Sequence, residues 1–253
     1  MTPQVNGIVR KPAGANVSFL LIHGFCADVD ELASLGEELE RKGIASLAMQ
    51  IAGHGTSPED LASSTWNDWY SSVVNALNEV KSWKTKHVFV AGLSMGAALT
   101  LYLTTKESGI DGIVILSPAI KIGGFAGRMI PILKHLIKYR SIDLSYIPKM
   151  YDLPRTRYDR EPLSAIHELL RLSKEVRKAL PEVSIPTLVI KAGADKTVNP
   201  ENANYVFNNI SSSDKTLQEI QGAEHVITCH PTRKDAYPYV FEFIERIRSN
   251  ETN

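Results

Sequence analysis

Breaking an acyl bond takes a nucleophile, a base to accept its proton, and a group that orients the base. This chain offers all three in loops that follow apolar runs. The nucleophile candidate is Ser94, in Gly92-Leu93-Ser94-Met95-Gly96. The apolar run 88–91 stops at Gly92, and the small residues Gly96, Ala97 and Ala98 open a helical pattern. Strand, sharp turn and helix form the context in which Gly-x-Ser-x-Gly acts as a nucleophile elbow. There the serine takes a strained backbone conformation that leaves room only for small residues two positions to either side. Chance alone places the five-residue pattern in on the order of one chain in ten of this length, so its partners must be found elsewhere.

On this architecture the acid follows the serine along the chain and the histidine follows the acid. Asp195, in Gly193-Ala194-Asp195-Lys196, is the first carboxylate past the apolar run 186–192. The loop after the preceding strand, Ser117-Pro118-Ala119, has no carboxylate before Asp143. A turn or helix-capping aspartate is the plain alternative for Asp195. Of the seven histidines, His87 begins a strand at the wrong edge, and His135 and His167 lie on helical patterns away from the strands. His23 and His54 precede the serine beside glycines, where bonding to backbone is the simpler role. His225 comes straight after the last strand and its turn, and His230 lies deeper, next to Pro231. His225 is therefore the candidate base. The mechanism also needs two main-chain N–H groups for an oxyanion. Met95, after the nucleophile, and Phe25, in the first strand-to-helix loop, are placed to supply them. Their side chains could equally be ordinary core.

These residues need a scaffold that brings their loops to one edge. Residues 17–22 form a continuous apolar run, the pattern of a strand covered on both faces. Asp28 then caps a predicted helix over 29–42, with Leu32, Leu35 and Leu39 on one face and Gly43 as its stop. Residues 5–10, 44–49, 111–116, 186–192 and 215–220 read as further strands. Helices are expected over 65–83, 163–180, 201–209 and 233–248, and 51–58 reads as glycine-rich loop. Alternating strands and helices of this kind argue for a mostly parallel, doubly wound sheet that binds ligands beyond its carboxyl ends. The alternation breaks for about seventy residues after Pro118, too long for one crossover and too apolar for a disordered loop. That stretch holds an apolar run over 125–139 and an irregular section over 141–160. The expected organisation is one core domain, 1–118 with 184–253, and an inserted cap, 119–183.

Bulk composition narrows the function classes. With 253 residues the chain can bury roughly 70–75% of its unfolded surface. Apolar residues make up 43% and charged residues 22%, ordinary values for a soluble globular protein. Lys plus Arg equals Asp plus Glu at 28 each, so no net field favours nucleic acid, whose binding is not expected. No apolar run approaches the ~18–20 residues that span a bilayer, and stable membrane insertion is not expected. Residues 1–17 lack a charged region followed by an apolar core, so no secretory signal is expected. Cys26 and Cys229 cannot build a disulfide framework and fit no zinc spacing. Two free thiols in a reducing cytoplasm are the expectation.

Several stretches together resemble the α/β-hydrolase superfamily, and within it the small bacterial carboxylesterases and monoacylglycerol lipases. They are His23-Gly24-Phe25, the run 53–61, Asp68-Trp69, Gly92-Leu93-Ser94-Met95-Gly96, the run 199–204 and His225-Val226-Ile227-Thr228. They span the chain outside the expected cap. The resemblance implies an α/β-hydrolase fold with about seven strands, a triad of Ser94, Asp195 and His225, and an oxyanion hole from Phe25 and Met95. It implies neither a metal nor an organic cofactor. The function it implies is hydrolysis of carboxylic esters of short to medium acyl chains through an acyl-enzyme. The partner would be a small-molecule ester, acted on by a cytoplasmic monomer or homodimer. Monoacylglycerol lipase, thioesterase and C–C hydrolase activities use the same triad, and a ligand receptor with a silent triad is the non-enzymatic alternative. The chain departs from its relatives at Ala97, where a second glycine is common. It departs again at Arg155, where a monoacylglycerol lipase has a glutamate that contacts glycerol. The second departure favours a general short-chain ester.

Overall fold

The computed structural model describes residues 5–249, without the side chains of Phe125 and Ala126. Nine strands and ten α-helices follow one another among the described residues. They begin with β1 (Gly7–Arg10), β2 (Val17–Ile22), α1 (Ala33–Arg41), β3 (Ala45–Met49), α2 (Pro58–Ser63), α3 (Trp66–Ser82), β4 (His87–Leu93), α4 (Met95–Thr104) and β5 (Gly112–Leu116). After β5 come α5 (Gly124–Gly127), α6 (Ile130–Leu133), β6 (Tyr139–Ser141), α7 (Ile147–Met150), β7 (Arg160–Pro162) and α8 (Leu163–Ala179). The chain then returns through β8 (Thr187–Ala192), α9 (Glu201–Asn209), β9 (Lys215–Ile220) and α10 (Arg233–Ser249).

Seven strands form one sheet in the order β1-β3-β2-β4-β5-β8-β9. All pairs are parallel except β1 with β3. Every residue of β2, β3, β4 and β5 is buried. That explains why their sequences are continuous apolar runs rather than alternating ones: both faces of the sheet are covered. Successive side chains nonetheless part to opposite sides, as the pleat requires. Leu20, Ile22, Val88 and Val90 pack towards α3, α4 and α8, whereas Phe19, Leu21, Phe89 and Ala91 pack towards α1 and α10. In the second layer Phe19 stacks on Phe89 with ring centres 5.2 Å apart. The registers Ile22↔Gly92, Leu93↔Leu116 and Ala192↔Ile220 bring the carboxyl ends of β2, β4, β5, β8 and β9 to a common edge.

Two local expectations change. The helix expected over 29–42 divides into a 3₁₀ turn, Val29–Leu32, and α1. Asp28 caps the turn by accepting the Val29 N–H at 2.7 Å. The break falls at Leu32 (φ −117°, ψ 5°), and the turn carries Glu31 into the interior at 1% exposure. The glycine-rich loop ends earlier than expected, because Ser57 caps α2 and Pro58 fits its first turn. The apolar run 125–139, which Pro131 interrupts, divides among α5, α6 and β6; the side chains of Phe125 and Ala126 are not described. It leaves Met129, Ile132, Leu136 and Ile137 exposed. Between β5 and β8 the chain adds a two-stranded antiparallel pair, β6 with β7, and lays α8 against α4, α3 and α2. Among the described residues no helix is long and apolar enough to cross a membrane.

Candidate active site

Ser94 stands between β4 and α4 with φ 57° and ψ −111°, a region that L-residues rarely enter and that costs of order 1–3 kcal/mol. The neighbouring strand holds it there: its N–H donates to Leu116 O at 2.9 Å, and its carbonyl accepts from Ala98 and Ala119. The glycines around it are demanded by contact. A Cβ on Gly92 would run into Gly96 O and Thr100 Oγ1, and one on Gly96 into the carbonyls of Ile22 and His23. The turn therefore lifts the Ser94 side chain off the strand while α4 presses directly on β2.

The loops after β8 and β9 meet beside it. Gly193 N–H donates to Ile220 O and Ala194 N–H to Ala223 O, which ties the two loops together. His225 Nδ1 lies 2.6 Å from Asp195 Oδ2, with both side chains buried. An ionised carboxylate only accepts, so Nδ1 carries the proton and Nε2 is the nitrogen left to take one. Asp195 is itself fixed, since its Oδ1 accepts the N–H groups of Thr197 and Val198 at 2.8 Å each. His230 turns elsewhere, pairing Nδ1 with Thr232 Oγ1. Ser94, His225, Thr197, Val198 and Phe25 line a single cavity of about 290 Å³.

The first strand-to-helix loop forms another part of that wall. His23 is fully buried, accepts the Ile51 N–H on Nε2, and so donates from Nδ1 to Gly24 O at 2.9 Å. Burial holds its pKa below the ordinary histidine value, against the opposing pull of the Gly24 carbonyl. Because a trans peptide is planar, fixing the Gly24 carbonyl turns the Phe25 N–H the opposite way. Met95 begins α4, where an N–H has no partner within the helix. His54 packs edge-on against His23, Phe25 and Trp69, and burial, with His23 beside it, lowers its pKa to about 3.

Glu31 is the residue that sequence reasoning missed. It sits with Asp28 and Asp30 in a stretch that reads as a helix start, and nothing in that pattern marks one of the three as buried. Its Oε2 accepts the Gly24 N–H at 2.9 Å, its Oε1 takes Arg155 Nη2 at 2.5 Å, and both partners line the same cavity. Cys26 and Cys229 are free and buried. Burial raises the Cys26 thiol well above its usual value and pushes Cys229 up to about 12, so both remain protonated and poorly nucleophilic. Among the described residues no group of three His, Cys, Asp or Glu side chains could hold a metal ion.

The sequence pattern of the family described as "Serine aminopeptidase, S33" matches residues 14–231. A thermostable monoacylglycerol lipase from a Bacillus species is 32% identical over 217 residues, 84% of each chain. A carboxylesterase from Bacillus subtilis is 27% identical over 234 residues, covering 92% of this chain and 94% of that one. Among solved structures, one described under the metagenome-derived lipolytic enzymes LipS and LipT superposes with a TM-score of 0.87 at 24% identity, over 96% of this chain and 98% of its own. At that identity the likeness speaks for the fold.

Proposed function

Since the chain belongs to the serine aminopeptidase, S33, family and has the α/β-hydrolase fold, we propose that it is a carboxylic ester hydrolase whose triad is Ser94, His225 and Asp195. The observation that carries this reading is the 2.6 Å His225–Asp195 contact on the wall of the cavity that holds the strained Ser94. Ser94 Oγ attacks the ester carbonyl while His225 Nε2 takes its proton. Asp195 keeps the other ring nitrogen protonated and stabilises the imidazolium that forms. The N–H groups of Phe25 and Met95 hold the oxyanion. His225 then gives its proton to the departing alcohol and activates the water that cleaves the acyl-enzyme.

Residues 119–183 act in this reading as a cap that shapes the pocket: Ile122, Ile166, Leu169 and Leu170 supply its apolar lining. A cavity of about 290 Å³ suits acyl chains of short to medium length. Two free thiols suit a reducing compartment such as the cytoplasm. The monoacylglycerol lipase relative supports a second reading, in which the alcohol is glycerol.

Ser94→Ala should lower kcat by at least ~10⁴-fold, as loss of a triad nucleophile does. Equal turnover of p-nitrophenyl butyrate by the two proteins would remove Ser94 from the mechanism. A profile over p-nitrophenyl esters of increasing chain length, with a monoacylglycerol alongside, separates the two substrate readings.

A further inference from the structure

The backbone of Gly24 sets where the Phe25 N–H points, and a glycine by itself holds no preferred conformation. Two side chains do the holding. His23 Nδ1 fixes the peptide after Gly24 through its carbonyl, and Glu31 Oε2 fixes the peptide before it by accepting the Gly24 N–H at 2.9 Å. With both planes pinned, neither dihedral of Gly24 is free to turn. The carboxylate also lies close to the nucleophile. A Cβ on Gly24 would stand 3.0 Å from Glu31 Oε2 and 3.5 Å from Ser94 Cβ.

Glu31 is itself held from three directions. Its Oε1 takes Arg155 Nη2 at 2.5 Å, and the two side chains are 2% and 3% exposed. Arg155 lies in turn over the Tyr151 ring, 5.1 Å from its centre, and the N–H of Thr156 beside it donates to Asp30 at 2.6 Å. The main-chain carbonyl of Glu31 accepts Thr228 Oγ1, three residues beyond His225. One residue thus joins the loop of Phe25, the loop of His225 and the segment 119–183. A bare carboxylate here would be costly to bury and would oppose the negative oxygen that forms at Ser94. Arg155 answers both problems, because it offsets the charge and leaves the second oxygen to the Gly24 N–H. A pair that only fastened the segment 119–183 would need no such second bond.

We propose that Glu31, held by Arg155, is a positioning residue for the oxyanion hole. It locks Gly24 so that the Phe25 N–H faces the oxygen of the carbonyl that Ser94 attacks. The proposal rests on the esterase reading of Ser94. It adds that the segment bearing Arg155 acts on the rate of the reaction as well as on the shape of the pocket.

The test removes the hydrogen bond and keeps the packing. Apolar residues of similar volume often replace a buried ion pair without loss of stability, so Glu31→Leu combined with Arg155→Met should fold. Glu31→Gln combined with Arg155→Met restores a neutral acceptor for the Gly24 N–H. On p-nitrophenyl butyrate the first double variant should show a kcat at least ~10-fold below the second, with KM within ~3-fold. The inhibition constant of 1,1,1-trifluoro-2-hexanone should rise by the factor by which kcat/KM falls. Ser94 Oγ adds to the carbonyl carbon of that ketone, its proton passes to His225, and the carbonyl oxygen becomes an alkoxide that the hole must hold. Inhibition by 2-hexanone, which remains a ketone, should not change. Equal kcat in the two double variants, or a loss of affinity shared by both ketones, overturns the positioning role. Circular dichroism checks each fold. Should the first double variant not fold, Glu31→Met combined with Arg155→Leu replaces it under the same criteria, and wild type replaces the second if that one fails. Wild-type protein that cleaves no ester overturns the esterase reading and the positioning role with it. Cleavage by wild type with no difference between the double variants overturns the positioning role alone.

Discussion

Two of the seven histidines, His23 and His54, are held neutral by burial beside the loop that carries Phe25, and that couples the stability of the protein to pH. An unfolded His54 takes up a proton at about pH 6.5, whereas the folded one resists until about pH 3. Between those values the unfolded state binds more protons, so lowering the pH favours unfolding. The stabilisation from this residue is fully present above pH 6.5 and is lost as the pH falls towards 3. Its largest slope is roughly 1.4 kcal/mol per pH unit, and His23 acts in the same direction. Urea midpoints should therefore fall between pH 7.5 and pH 5.5, and His54→Asn should flatten the decline. An unchanged slope in that variant would place the acid sensitivity elsewhere.

Among the secondary-structure elements, the contact between α4 and β2 has the least slack. Gly96→Ala puts a methyl group into the carbonyls of Ile22 and His23. Both are backbone atoms and cannot rotate away, so stability should drop by at least ~1–3 kcal/mol, readable as a lower melting temperature. Retention of wild-type stability would mean that the helix can move off the sheet. The need for a small residue here was legible in the sequence, since a strained Ser94 leaves room only for small residues two positions to either side; that β2 is what presses on Gly96 was not. The strands were legible for a related reason: β2, β4 and β5 are buried on both faces and read as unbroken apolar runs. So was the meeting of the loops that carry Ser94, Asp195 and His225, because loops after parallel strands share one edge. The pair β6–β7 was not legible, because three-residue strands carry no periodicity. The inward turn of Glu31 was hidden as well. Its burial depends on a partner, Arg155, that lies far along the chain, and no local pattern reports such pairing.

At the scale of the whole molecule, the proposed function depends on how the segment 119–183 sits over the sheet edge. Its first residues are fastened from below: Asn202 Oδ1 in α9 accepts the N–H groups of Ile120 and Lys121. From above, Arg177 and Ser173 in α8 donate to the Ile120 carbonyl. Asn202→Ala would leave two backbone donors without their acceptor at the point where the chain leaves the sheet. It should cost about 1–3 kcal/mol and raise KM more than it lowers kcat, because Ile122 and Gly123 line the pocket just beyond. An effect on stability with no change in KM would make this junction merely structural.

The backbone of Ser94 has a consequence for the history of the protein. A conformation with φ 57° and ψ −111° is open to glycine and unfavourable for serine. Relief of that strain, of order 1–3 kcal/mol, should exceed the ~0.4–1 kcal/mol by which glycine loosens the unfolded chain. Ser94→Gly should therefore be dead as an enzyme yet melt a few degrees higher than wild type. Any lineage freed from the need for turnover would then drift towards the sturdier, inert form. The serine persists at this corner only while selection for activity outweighs selection for durability.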